Sequence, residues 1–403
     1  MIGAERDEHG EIVHYGVMSA VSISPRGEVR LRHGHPWIYR SDVAAGDAEG
    51  GDIVLVRGAR DRPLGHAMFS DQSQIALRML TRDDRPIDAA FWRGRLAAAI
   101  AFRDTLGIDA SARRLVHGEA DLLPSIVVDC YGDVLVIQTL SQASDQLLPD
   151  LTRWLVELTG ARGVLERNDP RVRHLEGLES RVSVVHGDVP DLVSVHEGPI
   201  EYDVDVRHGQ KTGLFLDQRE NHAAAATYAR GRLLDAFSYH GGFALAMAPG
   251  CSSVEALDAS ADAVEYIHVN AARNHLPQVQ AREANAFDEM RRLEKAGAKY
   301  DTVVLDPPAF AKNKAALEKA LAGYKEINLR ALRLLEPNGV LVTSTCSHHV
   351  DDLTFAEVVH AAATDAGCQV SIVEQRTQAR DHPVLLGVPE TRYLKCLILR
   401  KLG

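Results

Sequence analysis

The chain has 403 residues, 45% hydrophobic and 25% charged, which excludes extensive disorder and is too long for one ordinary core, so two or three domains are expected. A formal net charge of −11 excludes a protein held to nucleic acid by bulk positive charge, although residues 18–116 carry 15 basic against 12 acidic side chains. Five scattered cysteines without a CxxC pair exclude a disulfide framework and a four-thiolate zinc site, and no metal is expected. The polar, acidic opening MIGAERDEHGEIVHYG is unlike a signal peptide, and no apolar run reaches the roughly 18 residues a membrane helix needs. A cytoplasmic chain without membrane contact is the expectation.

Residues 1–17 read as a polar tail. Over 18–95 the runs VRLRHGHPWIY, GDIVLVRG, PLGHAMFS and IALRML, separated by Gly, Pro and Asp, read as short strands of a small β barrel or sandwich. An alanine-rich helix from about Ile87 to Thr105 leads away from it. Residues 96–200 form a middle α+β region. There SIVVDCY and DVLVIQTL meet through Gly132 and Asp133 as a hairpin, LLPDLTRWLVELTG is an amphipathic helix, and GVLERND and RVSVVHG are further strands. Over 201–403 strands and helices alternate: GRLLDAF, SSVEALD, VQAREA, YDTVVLD and GVLVTST are strands, and QVSIVEQ and YLKCLILR close the chain. This rhythm is α/β, a mostly parallel sheet covered on both faces, whose ligands bind outside the carboxyl ends of the strands.

At the first of those ends, in DAFSYHGGFAL, Gly241 and Gly242 permit a tight turn and close approach of a ligand, or are a plain turn. Asp258 ends the second strand, placed to accept bonds from ribose hydroxyls, with capping of the next helix as the alternative. Past the third, Asn285-Ala286-Phe287 offers an amide for an adenine edge and a ring for its face, or a helix cap and a core residue. The fourth ends in Asp306-Pro307-Pro308-Ala309-Phe310, where two prolines stop the strand and project a carboxylate and a ring from a rigid turn. Cys346 lies just past the fifth, in LVTSTCSHHV.

Glycine turn, ribose acid, adenine site and acid-Pro-Pro-aromatic, in that order, look like a class I methyltransferase that uses S-adenosylmethionine. Together with GQKTGLFLDQREN, YKEINLRAL and TSTCSH, the chain resembles the RlmI-like family of large-subunit ribosomal RNA methyltransferases over nearly all its length after residue 17. RGEVRLRHGHPWIYRSDV resembles that family's PUA opening, and RLVHGEADLLPSIVVDCYGDVLVIQ its middle domain. The resemblance implies a PUA domain at 18–95, a middle domain at 96–200 and a Rossmann-like methyltransferase domain at 201–403. It adds Phe215, Asp217, Arg219, Phe237, Tyr239, Ala286 and Pro307 to the cofactor pocket, with Arg219 pairing the methionine carboxylate. Arg30, Arg32, His35, Trp37 and Arg40, where cations alternate with an aromatic, and Lys312 are the RNA-binding candidates, Trp37 being equally a core residue. A homodimer is implied by the resemblance alone.

The resemblance also puts a nucleophile on Cys346, a thiolate adding to carbon 6 of a cytosine to activate carbon 5, with Asp306 as the general acid. A zinc site from Cys346, His348 and His349 fails because neighbouring side chains of extended chain point apart. Cys251, Cys368 and Cys396 lie in or beside apolar runs and read as core. Two departures stand out: Ala309 and Phe310 follow the prolines where two-cysteine enzymes carry a second thiol, and Asn285 stands where an Asp is common. Methylation of a base nitrogen, which needs no thiol, and a non-catalytic RNA-binding assembly factor are the competing readings.

Overall fold

In the computed structural model, which describes residues 5–6, 12–13, 19–310 and 314–402, the chain divides into two units. The first comprises Met1–Val195, Val204–Gly213 and Asp381–Thr391, the second His196–Asp203, Leu214–Arg380 and Arg392–Gly403. Of the expected tail, only Glu5–Arg6 and Ile12–Val13 are described, as a paired antiparallel ribbon.

Besides this ribbon, two larger sheets lie in the first unit. Six short strands line up in the order Trp37–Tyr39, Ile75–Met79, Pro63–Phe69, Ile53–Arg57, Ala20–Ile23 and Val43–Gly46. Burial alternates along Ile53–Arg57, so Val54 and Val56 face inward to meet Val21, Ile38, Ala67 and Leu77. One expected stretch of strand is helical: Val29–Arg32 belongs to the helix Pro25–Arg32. Ser24 caps that helix, its hydroxyl accepting from Gly27 N–H at 3.2 Å, and Pro25 sits at the start where a missing N–H costs nothing. These start signals override the strand-like texture. The second sheet has five strands in the order Arg181–Gly187, Gly163–Asn168, Val134–Thr139, Ile126–Tyr131 and Ala112–His117. The expected hairpin forms: Tyr131 faces Val134 across Gly132, whose φ of +60° the tight turn requires. Trp92 and Leu96 of the helix Ala89–Asp104 and Leu151 and Trp154 of the helix Leu148–Thr159 fill the core beside this sheet.

The second unit is built on seven strands, β1 (Gly231–Ala236), β2 (Cys251–Asp258), β3 (Val279–Glu283), β4 (Tyr300–Leu305), β5 (Leu335–Thr345), β6 (Gln369–Arg376) and β7 (Lys395–Leu402). Their order is β3-β2-β1-β4-β5-β7-β6. The first five are parallel, and β7 pairs antiparallel with both β5 and β6. The helices are α1 (Arg219–Ala226), α2 (Gly242–Met247), α3 (Ala261–Arg273), α4 (Ala286–Lys295), α5 (Leu317–Leu334) and α6 (Asp352–Asp365). β-branched and leucine side chains, among them Val303, Leu305 and Leu341, pack against Tyr324, Ile327 and Phe355 from α5 and α6. The strand order reverses between β1 and β4, and it is there that an open α/β sheet leaves a crevice at its carboxyl edge. No helix among the described residues is long and apolar enough to cross a membrane.

Candidate active site

Backbone strain marks the turn after β1. Phe237 and Tyr239 have φ of +69° and +51°, and Gly241 follows at +84°. Left-handed conformations at two bulky non-glycine residues cost on the order of 1 kcal/mol each and persist only where surrounding bonds impose them. Those bonds are present. Asp258, ending β2, accepts Tyr239 N–H on Oδ2 and Ser260 N–H on Oδ1, both at 2.9 Å. Asp235 accepts Ser238 Oγ–H at 2.6 Å and Ala244 N–H at 3.1 Å on Oδ2. Gly242 leaves no room for a side chain: a Cβ there would lie 2.5 Å from the ring of His222.

Asp235 is 1% exposed, and its Oδ1 has no hydrogen-bond partner in the described protein. Burial pushes its carboxyl up to about 7, against the Ser238 bond and helped by the charge of Asp306. A buried acid with an idle oxygen beside a strained glycine turn suits a ligand that brings a positive group, as the ammonium of an amino-acid cofactor does. His222, buried beside it, donates its Nδ1–H to Glu197 Oε1 at 2.7 Å. Burial opposes its protonation, but Glu197, Asp306 and Asp235 together outweigh it and raise its pKa.

Past β3, Asn285 does what its alternative reading held: its Oδ1 caps α4, accepting from Phe287 and Asp288 N–H. Its amide nitrogen stays at the exposed end of the helix. Ala286 is buried in the core, and Phe287 joins Phe237 and Phe310 in a ring cluster with centroids 5.7 to 6.5 Å apart. Phe215 packs edge-on against Tyr239 at 5.0 Å. Asp217 and Arg219 are buried; Asp217 accepts the Tyr393 hydroxyl at 2.7 Å, and Arg219 opens α1 beside Glu220.

Asp306 and Cys346 come from neighbouring parallel strands: Leu305 of β4 is in register with Thr343 of β5. Asp306 is half-buried before Pro307, and its Oδ1 accepts Gln218 Nε2–H at 2.8 Å; Gln218 is itself held by Asn221 at 2.6 Å. Cys346 is half-buried and in no disulfide. The hydroxyls on either side of it converge on Tyr324 of α5, whose phenolic oxygen is 2.8 Å from both Thr345 Oγ1 and Ser347 Oγ and also takes Phe310 N–H at 3.4 Å. One buried phenol thus ties the Cys346 loop to the Asp-Pro-Pro-aromatic loop. His348 and His349 are exposed, and no cluster of three metal-ligating side chains occurs among the described residues. Gln218, Tyr324 and Lys395 were not singled out in the sequence. Lys395, a lone lysine opening the apolar strand YLKCLILR, was the most legible of the three.

The basic candidates in the first unit are dispersed in role. Arg30, stacked at 4.3 Å over Tyr39, and exposed Arg32 end the helix Pro25–Arg32. His35 and Trp37 are ring neighbours at 5.2 Å, and the indole donates to Glu119 at 3.0 Å. Arg40 is taken up by the carbonyls of Ser70 and Ser73. Lys312 lies outside the described residues.

Comparison with known proteins adds two family matches, a PUA-like domain over residues 21–82 and an S-adenosylmethionine-dependent methyltransferase over residues 113–398. A Tolumonas auensis protein named ribosomal RNA large subunit methyltransferase I is 41% identical over 93% of this chain and 97% of its own. A protein of the same name from Shewanella frigidimarina is 38% identical over 94% and 98%. Among solved structures, a SAM-dependent methyltransferase from Streptococcus mutans shares the fold, with a TM-score of 0.81 at 19% identity over 94% of this chain and 99% of its own.

Proposed function

The chain belongs to the S-adenosylmethionine-dependent methyltransferase family of the ribosomal RNA large subunit methyltransferase I proteins, with a PUA-like domain at its start, and from that membership we propose that it methylates carbon 5 of a cytosine in large-subunit ribosomal RNA. The observation that carries the choice of atom is the placement of a half-buried cysteine, Cys346, and a carboxyl group, Asp306, at adjacent strand ends.

Carbon 5 of cytosine is too weak a nucleophile to take a methyl group unaided. The Cys346 thiolate adds to carbon 6, forming the S–C bond as the 5,6 π pair moves onto carbon 5 and into the ring. Asp306, oriented by Gln218 and protonated when the base binds, donates its proton to the polar edge of the base and neutralises the charge that gathers there. The bound cofactor supplies the methyl group as an electrophile. Loss of the carbon 5 proton to a water molecule then restores the double bond and expels the thiolate. Asp258 would hold the ribose, Asp235 would face the ammonium, and Phe287 with the Asn285 amide nitrogen would meet the adenine. For RNA, Arg32, Arg30 and the His35–Trp37 pair form the contact surface of the PUA-like region.

Transfer of labelled methyl from S-adenosylmethionine into unmodified large-subunit ribosomal RNA tests this with Cys346→Ala. The variant should bind cofactor normally and lose turnover by at least about a thousandfold, as removal of a covalent nucleophile does. Full activity would end the carbon 5 reading and favour methylation of a base nitrogen.

A further inference from the structure

Lysine is rarely buried, because desolvating an ammonium is costly unless acceptors surround it. Lys395, the first residue of β7, is 4% exposed. It stands opposite Thr345 in the antiparallel ladder between β5 and β7, one residue short of Cys346. Its Nζ donates to the carbonyl of Ser347 and to that of Tyr393, each at 3.2 Å. Both partners are acceptors, which suits an ammonium and leaves a neutral amine's lone pair with nothing to meet. Thr345 and Ser347 are also the residues whose hydroxyls converge on Tyr324. The Cys346 loop is thus held from one side by a phenol and from the other by a cation.

We propose that Lys395 is a positioning residue for Cys346: it pins the carbonyl that follows the thiol and holds a positive charge behind the sulfur that favours the thiolate. This rests on the reading of Cys346 as the nucleophile. A cation next to a cysteine stabilises its anionic form, and Lys395 and Cys346 lie close enough to feel each other's charge. Burial lowers the Lys395 pKa, while Asp352, Asp351 and Cys346 act to raise it and Arg392 to lower it. Tyr324, which senses the charge of Cys346, faces this corner, as does His348, stacked on Tyr393; Asp306, Arg376 and Glu374 act on the neighbouring Cys396. A lysine with a merely structural role would cap two carbonyls and leave the thiol's titration alone.

The test is the pH dependence of iodoacetamide alkylation of Cys346 in the full chain without RNA, resolved by peptide mass spectrometry. The other thiols react late, since burial pushes Cys130 and Cys251 up to about 11 and Cys396 up to about 12, and also raises Cys368. Wild-type protein should show a midpoint at least about one unit below the ~8.5 of an ordinary thiol. Lys395→Met should move it up and cut alkylation at pH 7 by about tenfold, and Lys395→Arg should keep it within about threefold. An unchanged profile in folded Lys395→Met overturns the proposal. So does a wild-type midpoint at or above ~8.5, a result that needs no variant to fold. Native methyl transfer by Cys346→Ala, with the alkylation shift intact, would instead end the nucleophile reading and leave the effect of Lys395 on the thiol standing.

Discussion

The phenolic oxygen of Tyr324 lies 2.8 Å from Thr345 Oγ1 and 2.8 Å from Ser347 Oγ, the two hydroxyls that flank Cys346. Tyr324 is fully buried, and the same oxygen accepts the Phe310 amide. Removing it leaves buried polar groups on both loops without their partner. Tyr324→Phe should lower stability by about 1–3 kcal/mol, the usual cost of orphaned buried groups. It should also reduce kcat more than cofactor affinity, because the loops it joins carry Asp306 and Cys346. Thermal unfolding, calorimetric titration with S-adenosylmethionine and turnover together check this; a turnover equal to wild type would show that the bridge is structural only.

Asp235 makes stability depend on pH in a stated direction. Its folded pKa is raised by burial to about 7, above an unfolded value of about 4. Below that lower value both states hold the proton. Between the two the folded state keeps it while the unfolded chain releases it, so the Asp235 contribution declines as pH rises through this window and levels off above it. Asp235→Asn removes the penalty and can still accept from Ser238 and Ala244. The Tm of the variant minus that of wild type, without cofactor, should therefore grow from pH 5 to pH 8. A difference independent of pH would contradict this. With S-adenosylmethionine present the variant should bind more weakly, since the acid that faces the ammonium is gone.

Gly242 tests the glycine turn. A methyl at its Cα would meet His222 Cε1 at 2.5 Å and Nε2 at 2.7 Å, and His222 is held in place through Nδ1 by Glu197. Gly242→Ala should destabilise the protein by about 1–3 kcal/mol through overpacking and weaken cofactor binding. Unchanged Tm and unchanged affinity would mean that the ring moves aside freely.

Much of this site was legible because strand ends are easy to find. β-branched runs ending in Asp258, in Asp306-Pro307-Pro308 and in Cys346 mark the carboxyl edge of a parallel sheet, and the fold sets all of them along that edge. The helix Pro25–Arg32 was harder. Gly27 and alternating arginines hide its 3.6-residue period, and only Ser24 and Pro25 announce it. Asn285 carried two readings, and the cap, a purely local bond, took its side-chain oxygen. Lys395 shows in the sequence as a lone lysine opening an apolar strand, but its partners do not. Its neighbours Thr345 and Ser347 lie about fifty positions earlier, and the pairing exists only because β7 inserts antiparallel between β5 and β6. Tyr324 and Gln218 are of the same kind: each acts through a partner distant in sequence, and no local pattern records such a bond.

The central claim, that the Cys346–Asp306 pair serves carbon 5 chemistry, is tested most directly by the identity of the product. Purified protein, labelled S-adenosylmethionine and unmodified large-subunit ribosomal RNA would be incubated, the RNA digested to nucleosides, and the methylated species identified by mass spectrometry. Labelled 5-methylcytidine, absent from the reaction with Cys346→Ala, is the result predicted. A labelled guanosine or adenosine carrying the methyl on nitrogen, formed equally well without the thiol, would contradict it.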